Sequence, residues 1–269
     1  MVPATLAGLA QAGTRDVLDG ARQWRLWYLM GSADMRRRYS RSRLGQIWIM
    51  LSSAIMISSM GLVWSTLWRQ PVAEMLPFVG IGMIVWQLIA GILTEASTIL
   101  PSSGHYFRNQ YMAASTVLFS LLYRQSITCL LNILFPFGLG LAMGSHITVE
   151  ALLVLPGLVL MLVTCFWLSF VIAILCTRFR DLTQIVSSVL QVAFFVTPVL
   201  WKPELLSPVA QRLIPWNPLA VMVSVVRDPL LGRTVPLTYW LIASGVALGG
   251  LALAFPFIGS FRRRLIYWL

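Results

Sequence analysis

The sequence predicts an all-α polytopic membrane protein with six transmembrane helices per subunit. An N-terminal interfacial amphipathic helix precedes them, and re-entrant helices lie between spans five and six. Three observations predict this. Of 269 residues, 58% are hydrophobic and 11% charged, with a mean hydropathy of +0.80, far from the composition of a soluble domain. Six runs (46–68, 77–100, 117–143, 151–176, 182–200 and 237–258) approach the ~20 residues needed to cross hydrocarbon. The stretch 197–236 is apolar and aromatic, yet broken by Pro203, Pro208, Pro215, Pro218, Pro229 and Pro236. Each proline removes a backbone donor, so no continuous helix forms there. Broken backbone at membrane depth is tolerated only against other protein. The segment is therefore expected to form short half-helices dipping into one membrane face, a plug over a pathway. The other connections are short, so residues 1–269 form one membrane domain.

Taken in order, residues 1–30 carry Arg15, Asp16, Asp19, Arg22 and Arg25, which interrupt any signal-peptide core. Residues 15–35 read as one interfacial element. Trp24, Trp27 and Tyr28 recur at helical spacing among arginines, a pattern suited to the headgroup boundary. On the first span Gly45, Ser52, Ser59 and Thr66 repeat every seven residues beside Trp48, and the second span echoes them with Gly80, Gln87 and Thr94. Such stripes serve helix packing as well as a polar pathway. Glu95 is the one carboxylate clearly inside a span, placed to reach water or to pair with Arg108 or Arg124. The connection 101–116 opens at Pro101 and turns polar and aromatic, which fits a short helix across the membrane face; His105 has no second ligand at metal spacing. Arg178-Phe179-Arg180-Asp181 forms the tight turn into span five, with Asp181 and Gln184 at capping-box spacing. Cys129, Cys165 and Cys176 read as inert buried thiols.

The net charge of +11 is a topology signal rather than a nucleic-acid footprint. Six spans place both termini on one side, and fifteen of the 20 basic residues fall there; Arg69, Lys202, Arg212, Arg227 and Arg233 fall on the other. The positive-inside rule makes both termini cytoplasmic. Lys202 is the one lysine, and it follows no glycine-rich turn, so the chain has no P-loop. Paired carboxylates, a Ser/His/Asp set and a His/Cys cluster are missing from the sequence as well, which weakens the case for a membrane enzyme.

The residues just described carry a resemblance. An Arg-rich segment runs into Arg41-Ser42-Arg43-Leu44-Gly45-Gln46-Ile47-Trp48. Then come Arg178-Phe179-Arg180-Asp181, Thr197-Pro198-Val199-Leu200-Trp201, Trp216-Asn217-Pro218-Leu219-Ala220, Arg227 and a basic tail. From about Arg22 to Leu269 the chain resembles an ABC-2 type permease of polysaccharide export, the transmembrane subunit that moves O-antigen, capsular polysaccharide or teichoic acid.

The resemblance implies a homodimer in the bacterial inner membrane, each subunit bound to one ATPase subunit. This chain would carry no cofactor; ATP and Mg²⁺ would belong to the partner. It places a cytoplasmic gate helix at Trp24 and Trp27, and ATPase coupling at His105, Tyr106, Phe107, Arg108 and Asn109; charge alone makes Arg37, Arg38 and Arg41 candidates for contact with the lipid head. The residues 201–236 become a periplasmic gate, with Pro198, Trp201, Trp216, Asn217 and Pro218 as closure points. Trp48, Ser52, Ser59, Phe194 and Phe195 become candidates for the channel lining; Phe194 and Phe195 point to different sides of a helix, so one of them is expected to line it fully. The expected cargo is a lipid-linked glycan made in the cytoplasm. The alternatives are an ABC-2 permease for a drug or small lipid, and a stand-alone carrier.

Overall fold

The computed structural model describes residues 6–39, 47–104, 112–144 and 148–268, and the side chains of these apart from 39, 49 and 262–268. Two helices, α1 (Leu6–Arg22) and α2 (Trp24–Tyr39), precede the long apolar helices α3 (Ile47–Leu67), α4 (Val72–Ser102), α5 (Ala114–Ala142) and α6 (Val154–Arg178). Then follow α7 (Leu182–Val196), α8 (Pro208–Leu213), α9 (Pro218–Leu230) and α10 (Leu237–Trp268), with 3₁₀ turns at Val149–Leu153, Pro203–Leu205 and Ile214–Trp216. Among the described residues every regular element is helical.

Five segments are long and apolar enough to cross a bilayer: Met50–Leu67, Val72–Ser102, Ala114–Ala142, Val149–Arg178 and Leu237–Phe261. The protein is multi-pass. The run expected at 182–200 is a helix of 15 residues, about 22 Å at 1.5 Å per residue and short of the ~30 Å hydrocarbon core. Pro198 ends it.

α4 is the centre, buried almost continuously from Met75 to Leu100 and packed against α3, α5, α6, α7 and α9. Lipid is as apolar as leucine, so close van der Waals packing rather than water exclusion holds such helices together. A Cβ on Gly80 would sit 2.6 Å from Pro136 Cβ and 2.8 Å from Ile57 Cγ2, so α3 and α5 meet α4 where it has no side chain. Gly80 therefore belongs to packing, whereas Gln87 and Thr94 of the same stripe are exposed.

Contacts order the chain direction. Gly157 lies beside Trp240 and Gly250 beside Trp167, so α6 and α10 run parallel. The chain between them must return to the end where α6 began. α7 makes most of that return, and the Pro198 carbonyl then accepts a hydrogen bond from Arg227 on α9. α8 and its 3₁₀ turn meet α9 at a 96° bend. Asn217 caps α9 there, its Oδ1 accepting from the Leu219 and Ala220 amides at 3.0 and 3.4 Å, with Pro218 at the first helical position. α9 then enters the core: Ala220 to Arg227 are all buried, and Val225 O would lie 2.4 Å from a Cβ on Gly157.

Three sequence expectations are corrected. Residues 15–35 are not one element, because the chain turns at Gln23, whose Oε1 accepts from Thr116 Oγ1 at 2.8 Å. Nor does α2 simply lie on a lipid surface. It runs lengthwise beside the first turns of α5, with Trp27 packed on Phe119 and Tyr123. Asp181 does not form a capping box either: its own backbone is helical and its side chain makes no cap bond.

Candidate functional site

An open groove of about 490 Å³ lies between α4 and α7, lined by Met83, Trp86, Gln87, Ala90, Thr94, Ser187, Leu190, Gln191, Phe194 and Phe195. Trp86 meets Phe194 at 5.7 Å between ring centroids, and Phe194 meets Phe195 edge-on at 5.4 Å. Two carboxamides, Gln87 and Gln191, and two hydroxyls, Thr94 and Ser187, line the same groove. Rings present flat apolar faces, while the amides both donate and accept. Between Met75 and Leu100, α4 fully exposes Gln87, Thr94 and Thr98 alone, all polar. A helix buried in apolar contact on its other sides thus keeps a hydrogen-bonding stripe open.

One end of the bundle carries the proline-broken segment, pinned by charge. Arg227 is 1% exposed; its guanidinium lies 3.9 Å from the Phe78 ring centroid and donates to the Pro198 carbonyl and, at 2.9 Å, to Asp228 Oδ1. Lys202 donates to Glu74 at 2.8 Å, and Arg233 approaches Glu204 at 3.7 Å. Trp201 Nε1 donates to Phe195 O at 3.3 Å, and Asn217 Nδ2 to Thr197 Oγ1 at 3.1 Å, which ties the segment to the end of α7. Trp216, at the bend, is 84% exposed.

The opposite end is rich in arginine. There Arg124 on α5, 7% exposed, donates to Glu95 on α4 and, at 2.7 Å, to Asp34 on α2. Gln125 completes the Glu95 carboxylate at 2.9 Å. Asp16 on α1 is also buried: its carboxylate accepts the Ser115 amide at 3.1 Å, and its carbonyl accepts the Ser115 hydroxyl at 2.6 Å. A carboxylate suits the first turn of α5, where amide hydrogens lack helical partners.

A family model described as ABC-2 type transporter matches residues 25–231. The chain belongs to the ABC-2 type transporter family. Two relatives share the name "O-antigen export system permease protein RfbA". The protein of Klebsiella pneumoniae is 22% identical over 218 residues, 80% of this chain and 83% of that protein. The protein of Myxococcus xanthus is 23% identical over 168 residues, 62% of this chain and 65% of its own length. Family membership makes the chain a transport subunit rather than an enzyme.

Within this ABC-2 frame the structure brings some of the expected residues together. Phe194, half-buried, and Phe195, exposed, both border the groove. Trp201, Asn217 and Pro198 gather at its proline-rich end. Trp48, Ser52 and Ser59 sit on the exposed side of α3 and do not line the groove. Trp24, Arg37 and Arg38 are exposed on α2 and Trp27 is half-buried. Arg41, His105, Tyr106, Phe107, Arg108 and Asn109 lie outside the described residues, as does the pairing of Glu95 with Arg108; Arg124 takes the Glu95 carboxylate. Sequence reasoning did not single out Trp86, Gln191, Asp34 or Asp16 as site residues. Trp86 precedes the Gln87 of the recognised stripe, and an acid set into a basic helix was the available signal for Asp34.

Proposed function

We propose that this chain is the membrane subunit of an ATP-driven exporter that moves a lipid-linked polysaccharide, such as O-antigen or capsule, from cytoplasm to periplasm. Two copies form the channel in the bacterial inner membrane, each with six crossings and both termini cytoplasmic, and each binds one ATPase subunit that supplies ATP and Mg²⁺ chemistry. The observation that carries this reading is the polar stripe of α4 beside the aromatic edge of α7. Hydrocarbon is a poor neighbour for exposed Gln87, Thr94 and Gln191, whereas a cluster of rings beside amides and hydroxyls gives a sliding sugar chain weak, repeated contacts. The parallel course of α6 and α10 supports α7 with Thr197–Leu200 as the fifth crossing, and the names of the two relatives support the cargo.

In this scheme the 197–236 segment guards the periplasmic exit, the connection between α4 and α5 receives the ATPase, and the arginines of α2 attract the lipid phosphate. The test is surface glycan in cells whose own permease is deleted. Trp86→Ala, Gln87→Leu and Phe194→Ala are expected to insert normally and to lower export. Full export by all three would sink the groove as the path. A second reading, a small apolar cargo, has its own observation: an almost purely apolar cavity of about 400 Å³ lined by Leu93, Leu168, Ile172, Val186 and Leu219. Glycan export restored by the unmodified chain rejects it.

A further inference from the structure

The arginine-rich end contains a three-helix node whose place suggests a task. Arg124 is a buried cation on α5 that holds one acid from α4 and one from α2. Gln125 of α5 adds a second bond to the same Glu95 carboxylate at 2.9 Å. The node is reinforced by shape: a Cβ on Gly31 of α2 would lie 2.8 Å from Tyr123, and Tyr28 and Trp27 both pack on the same Tyr123 ring. α2 is therefore fastened along one face of α5, and Asp16 fastens α1 to the first turn of the same helix.

We infer that Arg124 is the positioning residue that makes the inner ends of α4 and α5 and the basic helix α2 move as one body. The inference rests on the function proposed above, in which the connection between α4 and α5 receives the push of the ATPase. Covalent continuity carries that push into α4 and α5 only. α2, with Arg36, Arg37 and Arg38 in its last turn, has no short covalent link to either, since α3 and its flanking segments intervene. The Arg124 fork supplies the link, because two charge-assisted bonds from one planar group fix both distance and angle. A cleft of about 250 Å³ lined by Asp34, Arg37, Glu95, Ser102, Ser103 and Arg124 lies at the joint and leaves room for it to hinge once the bonds break. Without the node the ATPase would still turn over, but the basic helix would no longer follow.

The experiment uses the full transporter, the chain with its copurifying ATPase in proteoliposomes or in cells, and reads export per ATP hydrolysed. Glu95→Gln and Arg124→Gln are expected to keep hydrolysis and to lower export per ATP roughly tenfold, a typical coupling free energy. Because loss of a buried partner can also prevent folding, the milder pair Asp34→Asn and Arg124→Lys is measured beside them. Asp34 is half-exposed, so its removal spares the core. Asp34→Glu should keep the coupling of the unmodified protein. Unchanged export per ATP in inserted Asp34→Asn and Arg124→Lys overturns the inference. A proportional fall of hydrolysis and export also overturns it, since that marks a merely structural role. Purification of the unmodified chain without any ATPase removes the functional reading itself, and the inference with it.

Discussion

Replacement of Arg227 by Met keeps the length of the side chain and removes its charge from the most buried cation of the described structure. Three partners lose it at once: the Pro198 carbonyl, the Asp228 carboxylate and the face of Phe78. Removing one partner of a buried ion pair costs about 3–5 kcal/mol, because the other charge is left without compensation. Asp228 is 19% exposed and can take up water, so the low end applies, about 3 kcal/mol. On a chain of this size that lowers the unfolding midpoint by about 6–12 °C. Arg227→Lys keeps the charge but loses the planar fork, so its shift is roughly half as large. The assay is the fraction of detergent-solubilised protein that stays monodisperse after heating, with Leu213→Ala on the exposed face of α8 as the control. Asp228→Asn added to Arg227→Met should recover part of the loss. A Met variant within about 2 °C of the control, the range of a surface substitution, would refute the view that Arg227 pins the broken segment to α4.

Other expectations are simpler. Gly157→Ala puts a methyl 2.4 Å from a backbone oxygen and should cost about 1–3 kcal/mol in the same scan, whereas Gly245→Ala meets nothing within 4 Å and should be neutral or slightly stabilising. With the three native cysteines replaced by alanine, Trp216→Cys should react with a membrane-impermeant thiol reagent in spheroplasts, and Arg36→Cys only after permeabilisation. The reverse pattern would invert the topology drawn from the arginine count.

Five of the six expected spans were legible because each needs only a run of apolar residues, and the prolines between Thr197 and Pro236 announced a broken segment without further help. The depth of α9 was not legible. Ala220-Val221-Met222-Val223-Ser224-Val225-Val226 is too short to cross a membrane, and its burial depends on Gly157 of α6 and the Phe78 ring of α4 receiving it from outside the segment. The site divides in the same way. Gln87 and Thr94 stood out as polar residues at helical spacing, whereas Phe194 and Phe195 were indicated by the resemblance to polysaccharide-export permeases. That Gly80 leaves this stripe for the packing face follows from Pro136 and Ile57, which no periodicity within α4 reveals. Asp16 and Asp34 looked like ordinary surface acids of a basic segment until α5 offered them Ser115 and Arg124.

These contacts converge on α4. Its two acids, Glu74 and Glu95, are each tied to a cation from another element, Lys202 in the broken segment and Arg124 at the opposite end. They stand 21 positions apart on one helix, about 32 Å at 1.5 Å per residue. Pro77 interrupts only the turns next to Glu74, and from there the helix is held on nearly every side by packed neighbours. Such a rod cannot bend freely, so a tilt imposed at the Glu95 end must appear at the Glu74 end, with the groove of Gln87 and Thr94 between them. Packed interfaces have a few discrete arrangements rather than a continuum. The two ionic nodes then fix each end of α4 to its neighbours, and in the export scheme proposed above the open polar stripe between them is the surface that such a tilt would reshape.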